Sequence, residues 1–155
     1  MSKAFTREDD AGGATELPER IISSQPNLVT AEGLAAIDAE IEEHSRRQTE
    51  ANAGEDRDAA ARAARELRYW TVRRASAQLM PAPPDNSEVR FGSTVAIERE
   101  DGRRSTWRIV GEDEADPAKG TVSYIAPLAR ALMGRRVGDV VKAGATDAEI
   151  VSISV

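Results

Sequence analysis

Four carboxylates crowd one short stretch: Glu50, Glu55, Asp56 and Asp58 flank Asn52-Ala53-Gly54. Carboxylate oxygens are the ligands that hard cations such as Mg²⁺ take. At the end of a rigid arm, such acids can enter another protein's metal site. There they complete the coordination of an ion and position water for phosphodiester hydrolysis. The competing reading is that they only solvate a turn. A second acidic run, Glu112 to Asp116, lacks the ligand spacing of a calcium loop and reads as a solvated loop. His44 is the only histidine, and a general base needs an orienting partner, so it reads as a polar packing residue. Gly12-Gly13 is too little for a phosphate loop. With no cysteine there is no disulfide and no thiolate metal site. No active site, cofactor or metal site of the chain's own is expected, and no enzyme.

The arm that must carry the acids is legible on both sides of Gly54. Leu34, Ile37, Ile41, His44 and Gln48 recur at alternating spacings of three and four, and so do Ala60, Ala63, Leu67, Trp70 and Arg74. That is the seam of a coiled coil. The two sets match in mirror order about Gly54, with Leu34 facing Arg74 and Ile41 facing Leu67, as an antiparallel helical hairpin requires. Thr30 is a candidate N-cap, with Glu32 well placed at the positive helix end. The outer face of the first helix is acidic, with Asp38, Glu40, Glu42 and Glu43, and the second helix carries Arg62, Arg65, Arg68, Arg73 and Arg74. They either pair across the seam, each pair contributing little, or form a basic stripe toward nucleic acid or an acidic protein groove.

Residues 1–28 read as a disordered tail, with Leu17 to Ile22 an apolar exception that either docks in extended form or is plain linker. The hairpin occupies 29–81. The prolines of 82–88 make a stiff linker. From 89 to 155 the pattern turns to strands. Thr94–Arg99 and Ser105–Val110 alternate around Asp101-Gly102, a hairpin signal. Thr121–Ile125 follows as a strand, then a short helix from Pro127 closed by Gly134, then Val140–Lys142 and Ala148–Val155. The fold class is α+β: a helical hairpin followed by a small antiparallel sheet domain with one short helix.

A net charge of −6 argues against DNA binding by charge alone. No stretch approaches the ~20 apolar residues of a membrane span. The first residues have no apolar signal core. A cytoplasmic monomer is expected.

Phe91-Gly92-Ser93-Thr94-Val95, Trp107 through Asp116, Tyr124 through Gly134 and Val137-Gly138-Asp139 resemble the Gre transcription elongation factors, as does Leu28 through Leu34. The resemblance implies an antiparallel coiled coil and an FKBP-like C-terminal domain that docks on RNA polymerase at the rim of its secondary channel. It also implies that tip acids, here Glu50, Glu55, Asp56 and Asp58, help hold the Mg²⁺ of the polymerase active site. The polymerase then cleaves backtracked RNA, with the factor near the RNA 3′ end. Ile125, Pro127, Leu128, Ala129 and Met133 match the family's polymerase-docking segment. A rival reading packs Leu128, Leu132 and Met133 on the sheet.

The tip departs from the family's pattern, and the hairpin reads as roughly two to three turns shorter per helix, about 10 to 15 Å of reach. The alternative to a cleavage factor is therefore a non-cleaving occupant of the channel that regulates by competition, similar to the short-armed nucleoside-diphosphate-kinase regulators. Prolyl isomerase activity, suggested by the fold alone, is not expected: Phe91, Trp107 and Tyr124 are too few aromatics for a proline pocket.

Overall fold

A computed structural model describes residues 17–155. The chain enters through β1 (Leu28–Val29), runs up α1 (Ala31–Ala53), and returns down α2 (Arg57–Ser76) to β2 (Gln78–Leu79). Strands β1 and β2 pair in parallel and clamp the base of the hairpin. Thr30 caps α1, its hydroxyl accepting the Gly33 N–H at 2.9 Å. Asp56 caps α2 in the same way through the Ala59 N–H at 3.0 Å. Ile37, Ala51 and Ala63 are buried on the seam, and Leu34, Ile41, Leu67 and Trp70 are half-buried.

The seam departs from expectation at its base. Arg73, not Arg74, is the buried residue, at 2% exposure. Arg74 lies outside and reaches Asp38 on α1 at 2.6 Å. The base of α2 packs against the second domain as well as against α1, so its inward face turns by one residue.

The second domain is a five-stranded sheet in the order β5-β4-β3-β7-β6. Its strands are β3 (Thr94–Arg99), β4 (Arg104–Val110), β5 (Thr121–Ser123), β6 (Val140–Ala143) and β7 (Thr146–Ser154), with α3 (Pro127–Leu132) packed on one face. The sheet is mixed, not antiparallel as expected: β5 runs parallel to β4. Parallel neighbours need a crossover. Residues 111–120 supply it, ending in a 3₁₀ turn at Pro117–Lys119.

Ala148–Val155, expected as a strand, does not alternate strictly between buried and exposed residues. Ile150 and Ile153 are both buried, because a register shift between Ala96 and Ile97 leaves Val151 as an extra residue in β7. Val95, Ile97, Ile109, Leu132 and Ile150 form the centre of the core.

The expected disordered tail is only partly within the described residues; 1–16 lie outside them. Leu17 to Pro26 is laid along α2. Arg20 pairs with Glu66 at 2.7 Å and sits over the Tyr69 ring at 3.6 Å. Glu19 pairs with Arg68 at 2.5 Å. The Tyr124 hydroxyl donates to the Pro26 carbonyl. The tail therefore touches both the hairpin and the sheet domain.

Candidate functional site

The tip is a tight junction. The Gly54 N–H donates to the Glu50 carbonyl at 3.0 Å and the Asp56 N–H to the Ala51 carbonyl at 2.9 Å. To close the turn, Glu55 adopts a φ of 56°, the left-handed region that a residue with a Cβ rarely enters. All four predicted acids are exposed at this end. They are not equivalent. Glu50 is engaged by Arg46 on its own helix at 2.5 Å, and Asp56 is held by its capping bond. Glu55 and Asp58 make no ion pair or side-chain hydrogen bond among the described residues. No three acidic or imidazole groups come together as a metal cluster among the described residues. Exposed carboxylates of this kind are oxygen ligands suited to a hard cation held elsewhere. His44 lies 3.1 Å from Glu40, one turn back on its own helix, and is half-buried beside the seam.

The direction of the arm is fixed at its base. Arg73 donates through Nε to Asp113 at 2.5 Å and through its terminal nitrogen to the Asn27 side-chain oxygen at 2.7 Å. Glu112 stands 3.9 Å away. Asn27 in turn donates to the Arg73 carbonyl at 2.8 Å. Tyr69 donates its hydroxyl to the same Asp113. Burial first, then Asp113, pushes the Tyr69 phenol up to about 12. On the other side of the base, the Thr30 hydroxyl donates to Glu114 at 2.6 Å.

The run Glu112 to Asp116, expected to be a solvated loop, is thus the joint between hairpin and sheet. Asn27, Thr30, Arg73, Asp113 and Glu114 are the residues that sequence reasoning did not bring together. The signal was there in two glycines. A Cβ on Gly111 would lie 2.3 Å from the Leu28 carbonyl oxygen, and one on Gly33 2.5 Å from Glu114. Each marks a close approach between the two halves.

Of the basic stripe, only Arg74 reaches α1. Arg68 serves the tail and Arg73 the joint. Arg62 and Arg65 make no ion pair among the described residues, and the Arg65 Nε is buried without a partner.

The predicted docking segment is split between surface and core. Pro127 and Met133 are exposed, while Ile125 and Leu128 are half-buried. Ala129 is fully buried in the core and presents nothing to a partner; Leu132, also fully buried, holds α3 on the sheet.

Comparison with known proteins bears on the family of the chain. The family model "Transcription elongation factor, GreA/GreB, C-term" matches residues 84–155. Transcription elongation factor GreA of Desulfovibrio desulfuricans is 33% identical over 143 residues, covering 87% of this chain and 83% of that protein. GreB of Pasteurella multocida is 42% identical over 79 residues, half of each chain. The crystal structure of GreA factor homolog 1 of Thermus thermophilus covers 84% of this chain and 99% of that one, at 19% identity and a TM-score of 0.42. With its helical hairpin, its mixed-sheet domain and a GreA relative matched over most of both lengths, the chain belongs to the GreA/GreB family of transcription elongation factors.

Proposed function

We propose that the chain binds RNA polymerase at the secondary channel, enters it with the hairpin, and presents its tip carboxylates to the Mg²⁺ of the polymerase active site. The polymerase then cleaves the 3′ end of backtracked RNA and transcription restarts. The observation that carries this reading is the pair of unpartnered carboxylates, Glu55 and Asp58, at the end of an arm whose base is fixed by a buried ion pair. Helix α1 has 23 residues, about 35 Å at 1.5 Å per residue. A helix of that length holds the tip carboxylates well away from the base of the hairpin. Bound Mg²⁺ supplies Lewis acidity to the phosphodiester and its attacking water. The chain supplies position and negative charge. It acts as a monomer in the cytoplasm, with no catalytic group or cofactor of its own.

The test is a stalled, backtracked elongation complex with 3′-labelled RNA and Mg²⁺. Release of short 3′ fragments above the intrinsic rate supports the proposal. Co-migration with polymerase but no release would replace cleavage with simple occupancy of the channel. No co-migration would reject polymerase binding itself.

A further inference from the structure

Residues 17–26 form a strap across the junction of the two halves. At its C-terminal end the Pro26 carbonyl accepts the Tyr124 hydroxyl of the sheet domain, and the Tyr124 ring meets the buried Phe91 edge-on. At its other end the strap holds α2. Arg68 donates to Glu19 at 2.5 Å, and Arg20 donates to Glu66 at 2.7 Å. The Arg20 guanidinium also covers the Tyr69 ring at 3.6 Å, with the Trp70 ring at 5.5 Å. Tyr69 is the ring whose hydroxyl donates to Asp113, so a strap side chain presses on a member of the joint.

These ties act at different heights. Arg73 to Asp113, Thr30 to Glu114 and Arg108 to Glu32 join the two halves at the foot of the hairpin. A lever held only at its foot can swing. Arg68 and Glu66 stand roughly 8 and 10 Å further up α2 than Arg73, at 1.5 Å per residue. A tie at that height, anchored to the sheet domain through Pro26, opposes the swing. Charge and stacking hold the strap more than apolar burial does: Ile21 is 92% exposed and Ile22 40%. Exposed ion pairs and cation–π contacts are individually weak, and salt screens the ion pairs. The strap can therefore open while both halves stay folded.

We propose that the strap is a releasable brace. Closed, it fixes the bearing of the hairpin on the sheet domain; open, it lets the arm swing. Glu19 and Arg20 are its positioning residues. The lever is long: over about 35 Å of helix, a swing of about 10° carries the tip about 6 Å. The bearing is a property of the free chain, and only its effect on transcript cleavage rests on the polymerase-binding reading. On that reading a tip displaced so far loses the metal, whose oxygen ligands must lie at about 2 Å.

The chain has no cysteine, so two spin labels can be placed by Ala53→Cys at the tip and Ala145→Cys in the turn between β6 and β7, both exposed. Pulsed electron spin resonance on the full chain then gives the distribution of tip-to-sheet distances, and proteolysis near Ile21 reports whether the strap is open. Glu19→Arg, Arg20→Ala and the charge-swapped Glu19→Arg/Arg68→Glu are compared in this labelled background, with circular dichroism to confirm the helices. The distribution is expected to be narrow for the otherwise unaltered chain and to broaden by at least about 6 Å in the two single variants. It should narrow again in the swapped pair. It should also broaden without any strap substitution between about 0.1 and about 1 M salt, as the Debye length falls from ~10 to ~3 Å. Faster proteolysis with an unchanged distance distribution overturns the brace: the strap opens and the foot alone sets the bearing. Unchanged proteolysis in both single variants overturns the assignment of Glu19 and Arg20. Broadening that the swapped pair does not reverse overturns the role of the Glu19–Arg68 pair. None of these readouts involves polymerase, so failure of the brace and failure of the polymerase reading are told apart.

Discussion

Arg73 and Asp113, 40 residues apart in the chain, meet at 2.5 Å, with the arginine side chain 2% exposed and the aspartate 12%. Each side chain comes from a different half of the molecule. Removing one partner of a buried pair leaves the other charge uncompensated, at a cost of about 3–5 kcal/mol. Arg73→Met is therefore expected to lower stability by that order in urea unfolding. The double change Arg73→Met/Asp113→Leu should recover part of it, since a buried apolar pair needs no counter-charge.

Tyr69 shares Asp113 and gives the joint a pH dependence. Its phenol is pushed from 10.0 up to about 12 by burial and then by Asp113. A group with a raised folded pKa stabilises fully below its unfolded value and loses that contribution as pH rises through the folded one. Stability is expected to hold to about pH 10 and fall between 10 and about 12. Tyr69→Phe should cost about 1–2 kcal/mol at neutral pH for the lost hydrogen bond and flatten the alkaline fall. Tyr124, also raised by burial, leaves a residual slope. Melting temperatures across the alkaline range check both points.

The two glycines of the joint should differ. A Cβ at Gly111 meets the Leu28 backbone at 2.3 Å, and one at Gly33 meets only the end of the Glu114 side chain at 2.5 Å. A side chain can move aside; a paired strand cannot. Gly111→Ala is expected to destabilise by about 3 kcal/mol, the upper end of overpacking costs, and Gly33→Ala by about 1 kcal/mol. Chemical denaturation of the two variants decides the order.

At the tip, stability and activity are expected to part. Glu55 holds a φ of 56°, which costs an L residue roughly 1 kcal/mol or more. Glu55→Gly should raise the melting temperature and, on the proposed function, lower transcript cleavage. Glu55→Asn, which tolerates the same backbone, should lower cleavage as well. A variant that is both more stable and fully active would exclude the Glu55 carboxylate from the chemistry.

The tail tests more gently. Arg20 pairs with Glu66 and stacks on Tyr69. Arg20→Ala is expected to cost about 1 kcal/mol. It should also speed proteolytic cleavage near Ile21 and Ile22, where the chain is already exposed. An unchanged cleavage rate would show that Arg20 does not hold the segment.

The hairpin was legible because helical periodicity is local: Leu34, Ile37, Ile41 and Leu67, Trp70 announce their face within one turn of themselves. The hairpin at Asp101-Gly102 was legible for the same reason. What could not be read were meetings across long sequence distance. Whether Arg73 or Arg74 turns inward depends on Asp113, and nothing near α2 encodes Asp113. The parallel course of β5 depends on how residues 111–120 cross over, and their acids look like solvent-facing residues until Thr30 and Arg73 are placed beside them. In the segment expected to dock, Ala129 and Met133 look alike by type, and only the packing of α3 separates the buried one from the exposed one. By sequence the tip acids form one group, because they lie close together along the chain. Their division into tied and untied carboxylates is set by Arg46 and by the cap of α2.

The parallel pairing of Leu28–Val29 with Gln78–Leu79 brings the hairpin's two ends side by side. Everything from Thr30 to Ala77 is thus a cassette plugged into a fixed socket. Seven residues added to or removed from each helix would keep every side chain near its present bearing and change the span by about 10 Å. Length is therefore a dial that can turn without disturbing the sheet domain. On the proposed function, a lineage could vary how deep the tip reaches while keeping its dock unchanged.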